Sequence, residues 1–178
     1  MRLLKNLIFG MLVVMVSNTV AAQGFGIRGG VNISNVNGGN INTENLTGYY
    51  LGVYKEMTLV KDLLFVQPEV QYSSQGFKTS ISEIKIDYIT VPILAKVYLV
   101  KLFSFETGPQ FGFKISDKVD GPANPDFESF DPTWAFGMSI NLPFHLSLNA
   151  RYVTSFNEVI TDSDAKNEVV QVGAAFRF

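Results

Sequence analysis

The sequence predicts an all-β fold, an eight-stranded antiparallel up-and-down β-barrel that crosses a membrane with its strands. Three observations predict it. Apolar and polar residues alternate with a period of two along most of the chain. No segment after the first 22 residues reaches 18 consecutive apolar residues, so a helical span is excluded. The connections between the predicted strands also alternate between long and short, which is typical of an outer-membrane barrel.

Composition agrees with this fold class. Charged residues make up 17% of the 178 residues, against 47% hydrophobic and 13% aromatic, a balance poor in charge for a soluble domain. The chain contains no cysteine, which excludes disulfides, a thiolate nucleophile and zinc-knuckle spacing. The length suits one domain.

The first 22 residues have the features of a secretory signal peptide. Arg2 and Lys5 precede an apolar run at 7–16, and Val20-Ala21-Ala22 offers a cleavage site near Ala22. The predicted domains are therefore the signal peptide, 1–22, and a barrel domain, 23–178. Without Arg2 and Lys5 the formal charge moves from −2 to −4, and no basic face for nucleic acid is visible.

Period-two alternation places eight strands along the mature chain. The connections between them are 11, 3, 6, 3, 15, 2 and 11 residues long, so we expect tight turns on the periplasmic side and long loops outside, with both chain ends in the periplasm. The predicted strands cover 24–35, 47–59, 63–77, 84–99, 103–116, 132–142, 145–156 and 168–178.

The segment 103–116 illustrates the two faces. Phe105, Phe111 and Phe113 fall on one side, and Glu106 and Lys114 on the other. At about 3.3 Å per residue, a strand of this length spans roughly 46 Å and rises roughly 35 Å when tilted by about 40°. Sandwich strands are usually about five or six residues, so strand length favours a barrel with its apolar face towards lipid.

Eight strands enclose an interior just wide enough for side chains, which argues against an open pore. Charges inside must then pair, because an unpaired buried charge costs several kcal/mol. We expect a network that joins Glu69 and Glu106 to Lys96, Lys114 or Arg151. The predicted interior polar network comprises Arg28, Glu69, Lys96, Glu106, Lys114, Arg151 and Arg177.

Four residues fit the pattern poorly. Pro68, Pro92 and Pro109 lie within predicted strands, where each removes a ladder hydrogen bond, so bulges are expected at these points. Lys55 falls on the lipid-facing parity of its strand. Snorkelling or a shift of register would accommodate it.

The last nine residues, "VQVGAAFRF", place one apolar face at the end of the chain. Val170, Val172, Ala174, Phe176 and Phe178 share that face. The segment resembles the carboxy-terminal assembly signal of bacterial outer-membrane barrels, which the barrel-insertion machinery reads.

Several segments together resemble the outer-membrane β-barrel family of Bacteroidota that includes PorT-like proteins. The resemblance implies an outer-membrane barrel, one branch of which is tied to type IX protein secretion. No motif places this chain in that branch. The segments that carry the resemblance are "GIRGGVNISNV" (26–36), "VQPEVQYSSQGFK" (66–78), "DYITVPILAKVYL" (87–99), "ETGPQFGF" (106–113), "LSLNARY" (146–152) and "VVQVGAAFRF" (169–178).

The sequence predicts no catalytic, cofactor or metal site. His145 is the single histidine, and a pairing with Ser147 is conceivable, but its place in a predicted periplasmic turn favours a structural histidine. The acidic loop 117–131 could bind divalent cations, although it lacks the spacing of a calcium loop.

The resulting hypothesis is a monomeric barrel of the bacterial outer membrane with a structural or interaction role, not an enzyme. Its expected partners are outer-membrane lipid and lipopolysaccharide, the barrel-insertion machinery, and a secretion-system or extracellular protein. A PorT-like accessory of type IX secretion is the first alternative. A soluble lipocalin-like carrier and a hydrolase at the outer rim are the others.

Overall fold

The computed structural model describes residues 24–37, 43–121, 127–156 and 166–178, so the predicted signal peptide lies outside the described residues. These residues form antiparallel β-strands, because their apolar and polar side chains alternate and β-branched and aromatic residues are frequent. The strands are β1 (Phe25–Asn37), β2 (Glu44–Lys55), β3 (Met57–Val60), β4 (Leu64–Lys78), β5 (Glu83–Val100), β6 (Phe103–Asp120), β7 (Phe130–Asn141), β8 (Leu146–Ser155) and β9 (Lys166–Arg177).

Strands next to each other in the chain pair, apart from β2 and β3, and β1 pairs with β9 from Gly26–Arg177 to Asn37–Lys166, which closes the sheet. β2 and β3 both pair with β4 and occupy one position in the wall. The wall therefore has eight positions, and the predicted eight-stranded antiparallel barrel is confirmed. We call the end where β1 begins and β9 ends the inner end, and the opposite end the outer end.

Pro68 explains why β2 and β3 are separate. Tyr54 pairs with Glu69 and Met57 with Val66, which is a single uninterrupted register. Pro68 lies opposite the gap and has no N–H to donate across it. The backbone N–H of Glu56 donates instead to the carbonyl of Gly24, at 2.6 Å.

The predicted bulges at the prolines are wrong. Pro68 pairs with Ile93, Pro92 with Gln110 and Pro109 with Trp134, each in the register of the flanking pairs. The missing N–H of each proline thus leaves one ladder hydrogen bond unformed, without the extra residue that a bulge would add. The shifts in register between β5 and β6 fall elsewhere, at Asp87/Tyr88 and Tyr98/Val100.

The strands extend further at the outer end than the sequence predicted. β5 and β6 have 18 residues each, and at about 3.3 Å per residue and a tilt of about 40° they rise roughly 45 Å. A bilayer's hydrocarbon is about 30 Å thick, so both strands continue beyond it. The connection at 79–82 between β4 and β5 is as short as that at 142–145, so the expected alternation of loop lengths is not strict.

The outward face is apolar. On β9 the side chains of Val170, Val172 and Phe176 are exposed, whereas Gln171 between them is buried. Lys55 is also buried, and its ammonium lies 4.7 Å from the centre of the Phe25 ring. In the part of the chain that the structure describes, we find no helix with the length and apolarity needed to cross a membrane.

Candidate functional site

The interior of the barrel is the first candidate site, because it collects most of the buried charged groups. Alternation along the strands sends these side chains inward, where the narrow lumen brings them into contact across the barrel. They form two groups, one near the middle and one at the inner end.

The central network is organised by Arg151, on β8. Its guanidinium donates to Glu69 on β4 through Nη1 (3.0 Å) and Nη2 (2.8 Å). It also donates to Glu106 on β6 through Nε (2.8 Å) and Nη2 (2.6 Å). One planar cation therefore bridges two carboxylates from the strands that flank β5.

Arg28, on β1, completes the central network. It donates to Glu69 at 2.9 Å, reaches Glu106 at 3.4 Å and donates to the amide oxygen of Asn149 at 2.7 Å. Gln67 and Gln71 also donate to Glu69. Arg28, Glu69, Glu106 and Arg151 are each no more than 4% exposed, so two positive and two negative charges balance in a region closed to solvent.

Gly137, on β7, makes room for this network. A Cβ at this position would lie 2.7 Å from both Cγ and Oε1 of Glu106. That is far inside the ordinary carbon contact distance of about 3.5–4.0 Å. The absence of a side chain thus lets Glu106 fold towards Arg151.

The inner-end group is centred on Glu56, between β2 and β3. Its Oε1 accepts from Lys96 Nζ at 2.7 Å and from the Tyr98 hydroxyl at 2.9 Å, and its Oε2 accepts from Arg177 Nη1 at 2.7 Å. Lys96 is buried, but the Arg177 side chain is 39% exposed at the mouth. The structure therefore places Lys96 with Glu56 and not with Glu69 or Glu106.

Lys114 lies apart from both groups, near the outer end of β6. Its ammonium is 3.1 Å from Asp117 and donates to the carbonyl of Phe127 at 2.9 Å. The bulge between Asp87 and Tyr88 falls beside this part of β6. The expected pairing with Glu69 or Glu106 is therefore wrong for Lys114, because the partner nearest along its own strand is taken instead.

An apolar cluster fills the lumen above the polar groups, and the sequence analysis missed it. We call it the outer cap: Val36, Phe77, Ile84, Ile86, Tyr88 and Phe127, each buried. Phe77 and Phe127 meet edge to face, with ring centroids 6.5 Å apart. A signal was present, since Ile84 and Ile86 share the parity of Lys96, which was predicted to face the interior, and so place apolar side chains inside.

Tyr50 and Tyr98 were also missed as members of the polar interior. Tyr50 donates to Asn149 at 2.9 Å, and Tyr98 donates to Glu56. A tyrosine near a strand end is readily interpreted as a ring at the membrane interface. Only the direction of its side chain, towards lipid or towards the lumen, distinguishes that role from membership of the polar interior.

Five residues at the end of the chain were predicted to form an assembly signal. All lie on the outer surface of β9 or just after it, with exposed side chains: Val170, Val172, Ala174, Phe176 and Phe178. Their role in assembly stays a prediction.

His145 lies in the turn between β7 and β8, at the inner end. Its backbone carbonyl accepts from the N–H of Arg177 at 3.0 Å. Within the described ranges, its imidazole makes no hydrogen bond to Ser147. The turn therefore supplies no nucleophile–base pair of the kind that hydrolysis needs.

The acidic segment 117–131 is only partly within the described residues. Asp131 is buried and its Oδ2 accepts from Ser155 at 3.0 Å, while Asp117 pairs with Lys114. Among the residues described, no three acidic or histidine side chains are grouped to hold a metal ion.

Comparison with known proteins identifies the family to which this architecture belongs. Residues 21–161 match the model of a family described as outer membrane protein beta-barrel domain. No protein with a curated description matches the chain.

Two solved structures show the likeness of fold. Ail, the attachment invasion locus protein of Yersinia pestis, superposes with a TM-score of 0.57 at 17% identity, covering 88% of this chain and 99% of Ail. Neisserial surface protein A superposes with a TM-score of 0.58 at 11% identity, covering 87% and 97%.

Proposed function

Since the chain belongs to the outer-membrane β-barrel domain family and lies in the bacterial outer membrane, we propose that it is a closed barrel that acts by contact with other molecules. It neither conducts solute nor catalyses a reaction. One observation carries this proposal: the charged groups in the middle of the lumen pair with one another. The central network leaves its four ions almost wholly buried, and the outer cap closes the lumen beyond it.

The interior also argues against the soluble carrier. A lipocalin-like barrel holds an apolar ligand in its lumen and turns polar residues to water. Here the lumen holds ion pairs and amides, while Leu51, Phe136 and Leu148 are more than half exposed on the outer wall. Lipid suits that wall.

The contact surface we propose is the outer extension of β4, β5 and β6. The β4–β5 hairpin is held by Glu83, which pairs with Lys78 and Lys85, both at 2.9 Å. Ile81 at its tip is 66% exposed. A fixed hairpin with an apolar tip, standing beyond the hydrocarbon, suits a protein or lipopolysaccharide partner.

Conductance tests the closed lumen. Purified barrel, refolded and inserted into a planar bilayer, is expected to give no stepwise current in 1 M KCl. An Arg151→Ala, Glu106→Ala variant, which empties part of the central network, serves as the positive comparison. Regular open steps from the unaltered chain would overturn the proposal.

Site-specific photo-cross-linking tests the contact surface. A benzophenone amino acid at Ile81 is expected to give a discrete adduct on whole cells. The matched control is the same group at Leu63, which is 48% exposed in the inner-end turn. Equal adducts at both positions, or none at Ile81, would contradict the assignment.

A second candidate is an accessory of type IX protein secretion, which rests on the resemblance of the segments at 26–36, 66–78 and 87–99 to PorT-like barrels of Bacteroidota. Affinity purification from native membranes distinguishes it. Recovery of secretion-machine proteins, reduced by substitution of exposed residues in the β4–β5 hairpin, is the outcome that favours this role.

A further inference from the structure

The inner end of the barrel contains a cavity whose charge is not balanced. Its volume is about 230 Å³, and it lies between the Glu56 group and the β7–β8 turn. A second cavity, of about 550 Å³, adjoins it, and the two meet at Tyr98, Lys101 and Arg177. The outer cap and the central network separate both from the opposite end.

The charges on the first cavity add to an excess of cations. Lys96, Lys101 and Arg177 line it, against one carboxylate, that of Glu56, and the adjoining cavity adds Asp62 to the two cations that it shares. Glu56 already accepts hydrogen bonds from Lys96, Tyr98 and Arg177. The field inside is therefore positive, and low-dielectric walls strengthen such a field.

Part of the hydrogen-bonding capacity of the cations is unused. Among the described residues, Arg177 donates to Glu56 through Nη1 only, which leaves Nε and Nη2 at the mouth. Lys101 is exposed in the β5–β6 turn and forms no ion pair within the described ranges. An arginine fork beside a lysine is the arrangement that binds a carboxylate through two or more hydrogen bonds.

The other side of the cavity is apolar and held in place by an unusual turn. Leu142, Pro143 and Phe144 line it. Phe144 and His145 both have positive φ, 64° and 62°, a conformation that non-glycine residues rarely adopt. Phe144 is 87% exposed.

We propose that this mouth, named here the inner pocket, binds a carboxylate that carries an apolar group. The carboxylate lies against Arg177 and Lys101, where the two cavities meet. The apolar group packs on Phe144 and Leu142. The volume of the first cavity is smaller than that of drug-sized ligand sites, which is about 300–1,000 Å³. The cavity therefore suits one amino-acid residue with a free carboxyl group.

The same chemistry has two sources, the carboxyl end of a peptide and a free small acid. In barrels of this class the end that carries the chain termini faces the periplasm, so both sources would reach the pocket from that compartment. The inference does not depend on the outer-end contact surface.

Amide NMR of the isotope-labelled, refolded barrel tests it, with N-acetylphenylalanine as the probe. We expect saturable shifts confined to residues of the inner end, with a Kd in the millimolar range. N-acetylphenylalanine amide, which lacks the charge, and acetate, which lacks the ring, are expected to bind at least tenfold more weakly. Equal binding of the acid and its amide would overturn the proposal without any mutation.

Variants locate the site. Arg177→Gln with Lys101→Gln is expected to weaken binding of the acid at least tenfold, and Lys85→Gln, at the opposite end, to leave it unchanged. Unchanged binding by the double variant would overturn the proposal. Heat-modifiable migration on a gel checks that each variant is folded, and Phe144→Ser, which keeps the cations, is expected to reduce the preference for N-acetylphenylalanine over acetate.

A tripeptide that ends in phenylalanine separates the two sources. Tighter binding than N-acetylphenylalanine assigns the pocket to a peptide end, because the adjoining cavity then contacts the rest of the chain. Equal binding assigns it to a free acid. Binding of the amidated tripeptide at the same affinity would contradict both.

Discussion

The central network and the inner-end group are built from the same residue types but have different roles. In the centre, Arg28 and Arg151 face Glu69 and Glu106, so charge is balanced and every ion is buried. At the inner end, Lys96 and Arg177 share Glu56, and the Arg177 side chain is 39% exposed. Where the charges cancel, as in the centre, ion pairing stabilises the narrow barrel. Where they do not cancel, as at the inner end, the cations keep hydrogen-bonding capacity for a ligand.

Among the substitutions that test this comparison, removal of Arg151 is expected to have the largest effect on stability. In an Arg151→Met variant, Glu69 and Glu106 lose the cation that bridges them, so we expect the free energy of unfolding to fall by about 3–5 kcal/mol. The matched variant Arg177→Met removes an exposed partner and is expected to cost no more than about 1 kcal/mol. Urea titration of the refolded barrel in lipid vesicles measures both.

Salt sharpens the same test. At about 1 M salt the screening length is about 3 Å, so the loss from Arg177→Met is expected to shrink towards zero. The loss from Arg151→Met is expected to persist, because ions do not reach a buried group. Equal losses, or the same salt dependence in both variants, would contradict the distinction between the two regions.

A substitution that fills the space beside Glu106 is expected to have an intermediate effect on stability. An added methyl in Gly137→Ala would collide with Glu106, and overpacking of this kind costs about 1–3 kcal/mol. Gly29→Ala is the control, since its Cβ would lie 3.2 Å or more from its neighbours. We expect the midpoint of unfolding to fall for Gly137→Ala and to change little for Gly29→Ala. A reversed order would show that Glu106 moves freely and that the network is loose.

The smallest effect is expected outside both regions, in the β4–β5 hairpin. Hydrogen bonds from Lys78 and Lys85 lower the pKa of Glu83 from 4.5 to about 2. Because the pKa is lower in the folded hairpin, its stabilisation is present above about pH 4.5 and is lost as the pH falls towards 2. The protection factors of the hairpin amides, corrected for the intrinsic pH dependence of exchange, are expected to fall over that window. Glu83→Gln should remove the pH dependence, and a persistent one would implicate another group.

Much of the fold could be predicted from the sequence. The period of two fixes which side chains face lipid, and strand length separates a membrane barrel from a sandwich. The outer end of β6 was placed too early, at 116, because the polar segment 117–120 shows little alternation, whereas β5 was placed within one residue at each end. The effect of Pro68 was misjudged, since a lost donor can be tolerated by a gap as well as by a bulge.

The site was less predictable. Alternation correctly placed Arg28, Lys96 and Arg151 inside, but it could not choose their partners. Pairing across the lumen depends on the height of each residue, which is set by the tilt and stagger of the whole wall. Lys96 therefore meets Glu56, a partner that the spacing along the chain did not indicate. Lys114 pairs instead with Asp117 of its own strand.

The outer cap has a consequence for access. With the lumen filled by aromatic and aliphatic side chains on one side, water-borne reagents can approach the inner-end group only from the mouth at the chain ends. The chain contains no cysteine, so a membrane-impermeant thiol label added to vesicles would modify an Arg177→Cys variant in one orientation of insertion and spare it in the other. The mouth thus reports the sidedness of the inserted barrel.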